Sequence, residues 1–143
     1  MSHAAHPFAD RPRTLADAVS RARGGGDLGH ALSEFLDTFY GHVRHRRLDE
    51  AQASIEDEPD GLPDPVDHAY VAAMAEHLVR RWKLQRIPVW TEMPARFLKR
   101  PYFPFGGRNT KALYFVESPI AFRRRLIFTE ARPLRRATMA LII

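Results

Sequence analysis

Two stretches of this sequence place apolar residues at the spacing of an α-helix, and no other feature constrains the fold as strongly. The stripes consist of Leu28, Leu32, Phe35, Leu36, Phe39 and Val43 in the first stretch, and Tyr70, Val71, Met74, Ala75, Leu78 and Trp82 in the second. A helix that faces a core needs such a stripe along one side. Asp27 favours a helix start, and Pro65 suits a first helical turn. The pattern therefore predicts helices over residues 27–48 and 65–82, with Glu76 lying away from the core-facing side of the second.

Capping residues and prolines predict the boundaries between these helices. Thr14 is expected to cap a short helix that ends near Arg23, before three consecutive glycines. Residues 56–66 contain three prolines, one glycine and five acids, and this composition predicts a loop.

The last third of the chain gives weaker local signals. Thr91 is expected to cap a short helix that runs to about Lys99, and Ser118 with Pro119 is expected to open another that runs through Arg125. Residues 111–117, with their aromatic and aliphatic side chains, have the composition of a strand.

These elements predict a mainly α-helical fold, with a single compact domain of five or six helices and at most a small two-stranded β element. A chain of 143 residues has the size of one domain. Residues 1–11 show no periodicity and are predicted to form a flexible N-terminal tail. The helical domain is then expected over residues 12–137, followed by an apolar C-terminal end at residues 138–143.

Composition excludes several classes of protein. The chain has no cysteine, so it forms no disulfide framework, thiolate nucleophile or cysteine-based metal site, and a reducing compartment is expected. Its longest apolar run, at residues 139–143, is far shorter than the roughly 20 residues that span a bilayer, and no export signal is visible. Gly24, Gly26 and Gly29 match a dinucleotide-binding spacing but follow a helical pattern instead of a strand. We therefore expect a cytoplasmic protein with no cofactor and no membrane partner.

Charge is divided unevenly along the chain. Residues 41–78 carry three Arg against nine Asp or Glu, a balance of −6, whereas residues 79–143 carry fifteen Lys or Arg against three acids, a balance of +12. Clustered cations are typical of proteins with a polyanionic partner. A basic end that pairs with the acidic middle of its own chain would give the same pattern, and the sequence leaves both interpretations open.

Aromatic residues accompany the cations in the last third of the chain. Eight of the fifteen aromatic residues lie between Phe97 and Phe128, interleaved with Lys and Arg. Rings and guanidinium groups together form protein docking surfaces, and they also stack on bases and hold phosphates. The Arg triplet at 123–125 spreads over about 200° of a helix, so at most two of its members face one partner. The predicted basic-aromatic face consists of Arg96, Arg100, Tyr102, Phe103, Phe105, Arg108, Lys111, Arg123, Arg124 and Arg125.

A metal site is a further hypothesis. His42, His45 and Asp49 are spaced at i, i+3 and i+7, so a continuous helix would place them along one edge. Imidazole and carboxylate groups are common ligands of zinc and other divalent metals, and these three residues could serve a metal-dependent hydrolase. A solvated helix edge explains the same residues. Gly41, which weakens a helix by about 1 kcal/mol relative to Ala, favours this simpler interpretation.

Several blocks of the sequence resemble a small bacterial family. They are WTEMPARFLKRPYFP at residues 90–104, ESPIAFRRRLIFTEARPLRRA at residues 117–137, and the earlier RPRTLADAV and ALSEFLDTFY. Members of this uncharacterised family resemble accessory or regulatory proteins, and some accompany helix-turn-helix regulators or toxin–antitoxin modules. The resemblance implies an accessory role and assigns no catalytic residue.

These observations predict a non-catalytic protein that binds a protein partner through the basic-aromatic face, in a regulatory or antitoxin-like role. The main alternative is direct binding of nucleic acid through the same face, and the third is the metal-dependent hydrolase. No motif indicates the oligomeric state or the identity of the partner.

Overall fold

The computed structural model of the chain describes residues 11–104 and 111–134. These residues form six α-helices and two short 3₁₀ turns without a β-strand, and the predicted mainly α-helical fold is confirmed. The helices are α1 (Leu15–Arg23), α2 (Leu28–Arg44), α3 (Leu48–Ala53), α4 (Pro65–Trp82), α5 (Lys111–Glu117) and α6 (Ile120–Arg123). None of the helices in the described ranges has the length and hydropathy that crossing a bilayer requires.

The described residues belong to two compact units. Unit 1 contributes residues 11–61 with helices α1 to α3, and unit 2 contributes residues 62–104 and 111–134 with helices α4 to α6. The predicted tail, apart from Arg11, and the predicted apolar end at residues 138–143 lie outside the described residues.

Unit 1 begins with the two predicted helix starts. The hydroxyl oxygen of Thr14 accepts a hydrogen bond from the backbone N–H of Asp17 at 2.9 Å. Asp27 accepts one from the N–H of Gly29 at 2.9 Å. Each side chain satisfies a backbone donor that the first helical turn leaves without an intrahelical acceptor. Helix α1 packs against α2, and α2 packs against α3.

The apolar stripe of α2 is buried, but the helix is shorter than predicted. Phe35 and Phe39 are fully enclosed, with ring centres 6.1 Å apart. The helix ends at Arg44, and Arg46 adopts the left-handed conformation with a φ of 58°. The chain then turns into α3. The predicted continuous helix over residues 27–48 was therefore wrong at its C-terminal end.

In unit 2, α4 has the predicted bounds. A carboxylate oxygen of Asp64 accepts a hydrogen bond from the N–H of Val66 at 2.9 Å, and Pro65 occupies the first turn. Lys83 ends the helix with a left-handed φ of 55°. Residues on more than one side of the helix are buried, because α6 and both 3₁₀ turns pack against it. Glu76 is consequently enclosed, and its predicted position away from the core was wrong.

Two 3₁₀ turns replace the helix predicted over residues 91–99. They cover Val89–Glu92 and Pro94–Arg96. Thr91 lies inside the first turn, where its hydroxyl donates to the carbonyl oxygen of Pro88 at 2.7 Å. Met93 is extended, with a ψ of 139°, because the following proline ring disfavours the helical conformation. Proline at residue 94 thus divides the segment.

The predicted strand at residues 111–117 is the helix α5. Strand propensity needs a neighbouring strand to pair with, and the described part of unit 2 contains none. Helix α6 ends at Arg123 and is shorter than the predicted helix through Arg125. A parallel bridge joins Tyr102 to Ile127.

Candidate partner-binding groove

Unit 2 contains an open groove of about 740 Å³, which we call the proline groove. Its walls come from the loop before α4, the first turns of α4, and the segment from the second 3₁₀ turn to Tyr102. The volume is within the range of natural ligand sites. Its lining residues are Leu62, Pro63, Pro65, Val66, His68, Pro94, Ala95, Phe97, Leu98, Lys99, Arg100, Pro101 and Tyr102.

The proline groove is apolar and has a cationic rim. No Asp or Glu lines it, whereas Lys99 and Arg100 are exposed. Neither cation forms an ion pair or hydrogen bond with a described residue. Tyr102, beside them, is 39% exposed. The groove therefore suits an apolar group that carries negative charge.

The backbone around the groove is restrained. Four of the lining residues are prolines, whose rings fix φ. The N–H of Tyr102 donates to the carbonyl oxygen of Leu126 at 2.8 Å, and the N–H of Phe128 donates to the carbonyl oxygen of Tyr102 at 2.9 Å. These restraints reduce the conformational entropy that an occupant would have to remove on binding.

Arg96 supports the proline groove from inside. It is fully buried, and its guanidinium donates to the backbone oxygen of His68 at 3.2 Å. The same guanidinium carbon lies 4.8 Å from the centre of the Trp90 ring. Arg96 therefore holds the first turn of α4 against the 3₁₀ turns, and its predicted outward position was wrong.

Arg125 is also fully buried, contrary to its predicted place on a docking face. One terminal nitrogen donates to Glu76 at 2.6 Å and to the carbonyl oxygen of Ala121 at 2.7 Å. The other donates to the carbonyl oxygen of Thr91 at 2.8 Å. A buried charge needs such partners, and these occupy both terminal nitrogens.

The other two members of the Arg triplet have partners within the chain as well. Arg124 donates to both carboxylate oxygens of Glu76 at 2.9 Å and to Glu92 at 2.7 Å. Arg123 donates to the carbonyl oxygens of Val116 at 3.0 Å and Ser118 at 2.7 Å. Arg124 and Arg125 thus pair with carboxylates of the chain, as the intramolecular interpretation of the charge pattern expects, while Arg123 and Arg124 remain exposed.

We call these ion pairs the Glu76 cluster, which comprises Glu76, Arg80, Glu92, Arg124 and Arg125. Burial alone would raise the pKa of Glu76, but hydrogen bonds from Arg125, Arg80 and Arg124 outweigh it and lower that pKa. Burial lowers the pKa of Arg125, while the hydrogen bond with Glu92 is the main cause of a raised pKa at Arg124. Arginine stays protonated in proteins, so the cluster is ionised at neutral pH.

The remaining members of the predicted face have different positions. Phe103 stacks on Phe128 with ring centres 5.3 Å apart, and the Lys111 ammonium lies 5.2 Å from the Phe103 ring centre. Phe105 and Arg108 lie outside the described residues. Of the ten predicted residues, Arg100 and Tyr102 line the proline groove.

The structure does not form the continuous helix on which the metal hypothesis depended. His42 lies on α2, His45 follows its end and Asp49 lies on α3. Glu50 approaches His42, with 3.2 Å between the imidazole Nδ1 and a carboxylate oxygen. Residues 11–104 and 111–134 contain no group of three or more histidine, aspartate and glutamate side chains placed to hold a metal ion.

Sequence reasoning missed two parts of this region. Residues 62–66 were predicted only as loop and helix start, although their prolines form one wall of the groove. Glu76 was assigned to the solvent side of α4. The surrounding run from Ala69 to Val79 is apolar apart from Tyr70, Glu76 and His77, and a helix that is apolar on most sides is expected to be buried.

Comparisons with known proteins give no assignment. No family model matches the chain, and neither a curated protein nor a solved structure shows significant similarity to it. The resemblance to a bacterial regulatory family therefore stays a prediction, and the binding sites proposed below depend on the chain's own residues.

Proposed function

We propose that this chain is a non-catalytic binding protein, an accessory in a regulatory or antitoxin-like module, which docks a protein partner in the proline groove. The observation that carries the proposal is an apolar groove whose rim holds Lys99 and Arg100 and whose lining contains no carboxylate. A surface of this kind offers apolar contact area and unbalanced positive charge together.

The charge of the rim indicates the chemistry of the partner segment. Lys99 and Arg100 have no carboxylate partner among the described residues, so an acidic side chain supplied by the partner would complete their pairing. Arg100 suits two parallel hydrogen bonds to a carboxylate, while Lys99 acts as a point charge. Tyr102 adds a ring of the type enriched at interface hot spots. The expected occupant is a short apolar peptide segment with one or two acidic residues.

Nucleic-acid binding, the main alternative, is less well supported by these contacts. The Arg triplet at 123–125 donates to carboxylates and backbone carbonyls of its own unit. Phe103, a candidate stacking ring, already stacks on Phe128. Two rim cations alone would contact few phosphates, and phosphate contacts supply most of the affinity for nucleic acids.

A peptide-display selection with the full chain as bait tests the proposal. Enriched peptides should combine apolar residues with Asp or Glu. The double variant Lys99→Glu with Arg100→Glu should lose binding of the enriched peptides, because it replaces attraction with repulsion at the rim. The matched control reverses two exposed charges outside the groove, Arg86→Glu with Arg132→Glu, and should bind them as the unchanged chain does.

Two outcomes would contradict the proposal. The first is a selection that enriches no acidic apolar peptide, or peptides that bind both double variants equally. The second is tight binding of a labelled DNA or RNA oligonucleotide whose affinity falls steeply with salt concentration, which would favour the nucleic-acid alternative.

A further inference from the structure

Unit 1 contains a second cavity, of about 690 Å³, and its chemistry differs from that of the proline groove. The segment before α1, the C-terminal half of α2 and the helix α3 form its walls. Three guanidinium groups line it, from Arg11, Arg13 and Arg44, together with the carboxylates of Asp37 and Glu50. The walls are mainly apolar, like those of the proline groove, but they include charged side chains of both signs.

Gly41 gives a reason to treat this cavity as a site instead of a packing gap. It lies within α2, and it lines the cavity. Glycine destabilises a helix interior relative to alanine, and packing does not require it at this position, because a Cβ atom there would meet nothing within 4 Å. The backbone has an ordinary helical conformation, so no turn requires glycine either. Gly41 therefore places no side chain in the cavity, although it destabilises the helix.

His42 lines the cavity beside one of its two carboxylates. Its Nδ1 lies 3.2 Å from a carboxylate oxygen of Glu50. Burial lowers the pKa of His42, although the neighbouring carboxylate of Glu50 opposes this shift. Besides this imidazole, the charged residues of the lining are three arginines and two carboxylates.

We propose that this cavity binds a small molecule through an oxyanion, either a phosphate or a carboxylate group. Arg11, Arg13 and Arg44 outnumber the two acidic residues of the lining, Asp37 and Glu50. Guanidinium groups bind phosphate and carboxylate oxygens with two parallel hydrogen bonds. Arg13 is exposed and lies on the segment before α1, where it can meet an incoming anion. This site is independent of the partner groove proposed for unit 2.

Isothermal titration of the full chain with pyrophosphate and with citrate, at matched ionic strength, tests the proposal and separates its two ligand classes. At least one of them should bind saturably. Gly41→Leu places a side chain in the cavity, and Arg13→Ala removes one guanidinium, so each should weaken binding by about tenfold or more. Gly41→Ala and Arg132→Ala are the matched controls, for helix propensity and for loss of one exposed Arg, and should bind within about twofold of the unchanged chain.

The result that would overturn the proposal is saturable binding of neither probe, or binding that Gly41→Leu and Arg13→Ala leave unchanged. Far-ultraviolet circular dichroism of each variant identifies a loss of fold. If Gly41→Leu does not fold, Arg13→Ala decides the outcome, because that side chain is exposed and its removal leaves the core intact.

Discussion

Replacing Glu76 with glutamine is expected to destabilise unit 2 strongly. The carboxylate is fully buried, and it accepts hydrogen bonds from Arg80, Arg124 and Arg125. The amide of glutamine is uncharged and carries one acceptor oxygen, so Arg125 would remain buried without a countercharge within hydrogen-bonding distance. Removing one partner of a buried ion pair costs far more than removing an exposed one.

The structure sets the size of this effect. The side chains of Arg80 and Arg124 are 44% and 31% exposed, so water can replace part of what they lose, and each contributes at most about 1 kcal/mol. Arg125 is fully buried and has no such access. Its unpaired charge dominates, and the free energy of unfolding should fall by about 3–5 kcal/mol.

Urea unfolding followed by circular dichroism at neutral pH measures the change. Arg80→Ala is the control for an exposed partner and should cost about 1 kcal/mol or less. The double variant Glu76→Leu with Arg125→Met removes both buried charges, and it should recover at least half of the loss. The reasoning is refuted if Glu76→Gln costs less than about 1 kcal/mol, because Arg125 would then not depend on this carboxylate.

Three further predictions concern other parts of unit 2. Lys83→Gly should raise the free energy of unfolding by about 0.5–1 kcal/mol in the same urea assay, because glycine adopts the left-handed φ of 55° without strain, and an unchanged or lower value would contradict this. Ser118→Ala should lower it by about 1–3 kcal/mol, since the buried hydroxyl accepts from the N–H of Thr129 and has the carbonyl oxygens of Tyr114 (2.5 Å) and Thr129 (3.1 Å) within donating distance. Burial lowers the pKa of His77 to about 4, so the unfolded chain binds more protons between this pH and 6.5. Stability should therefore fall by up to about 3 kcal/mol as the pH falls through this range. Urea titrations at several pH values measure this pH dependence of stability, which His77→Phe should flatten. If His77→Phe leaves the slope unaltered, His77 is not the source of the pH dependence.

The helices with strong local signals could be predicted from the sequence. Thr14, Asp27 and Asp64 are each followed by a helix, and each accepts the backbone hydrogen bond that the first turn needs. Capping depends on a few adjacent residues, so it is visible without knowledge of the rest of the fold. The bounds of α1 and α4 were therefore close to the predicted ones.

Short segments in the last third could not be predicted in this way. Residues 111–117 combine aromatic and aliphatic side chains without clear periodicity, and a run of this length fits a strand or a helix equally well. The segment after Thr91 carries a cap signal, but Pro94 limits it to a single turn. In both places the wider fold determines the conformation.

Which arginine side chains are buried and which are exposed was the feature hardest to predict from the sequence. Arg125 and Glu76 are 49 positions apart, and no local pattern connects them. The uneven charge distribution indicated intramolecular pairing as one interpretation, but it does not identify which Lys and Arg residues are paired. Arg100 and Tyr102 line the proline groove, whereas Arg96 and Arg125 lie in the interior. The residues next to these positions in the sequence are similar in composition and do not distinguish the two outcomes.

The backbone bridge at Tyr102 gives the proline groove a connection to the interior of unit 2. Tyr102 lines the groove, and its carbonyl oxygen accepts the N–H of Phe128, a residue that does not line it. A molecule held against Tyr102 would therefore hinder the opening of this hydrogen bond. Occupancy should slow amide hydrogen exchange at Phe128, so one amide outside the contact surface would act as a reporter of binding.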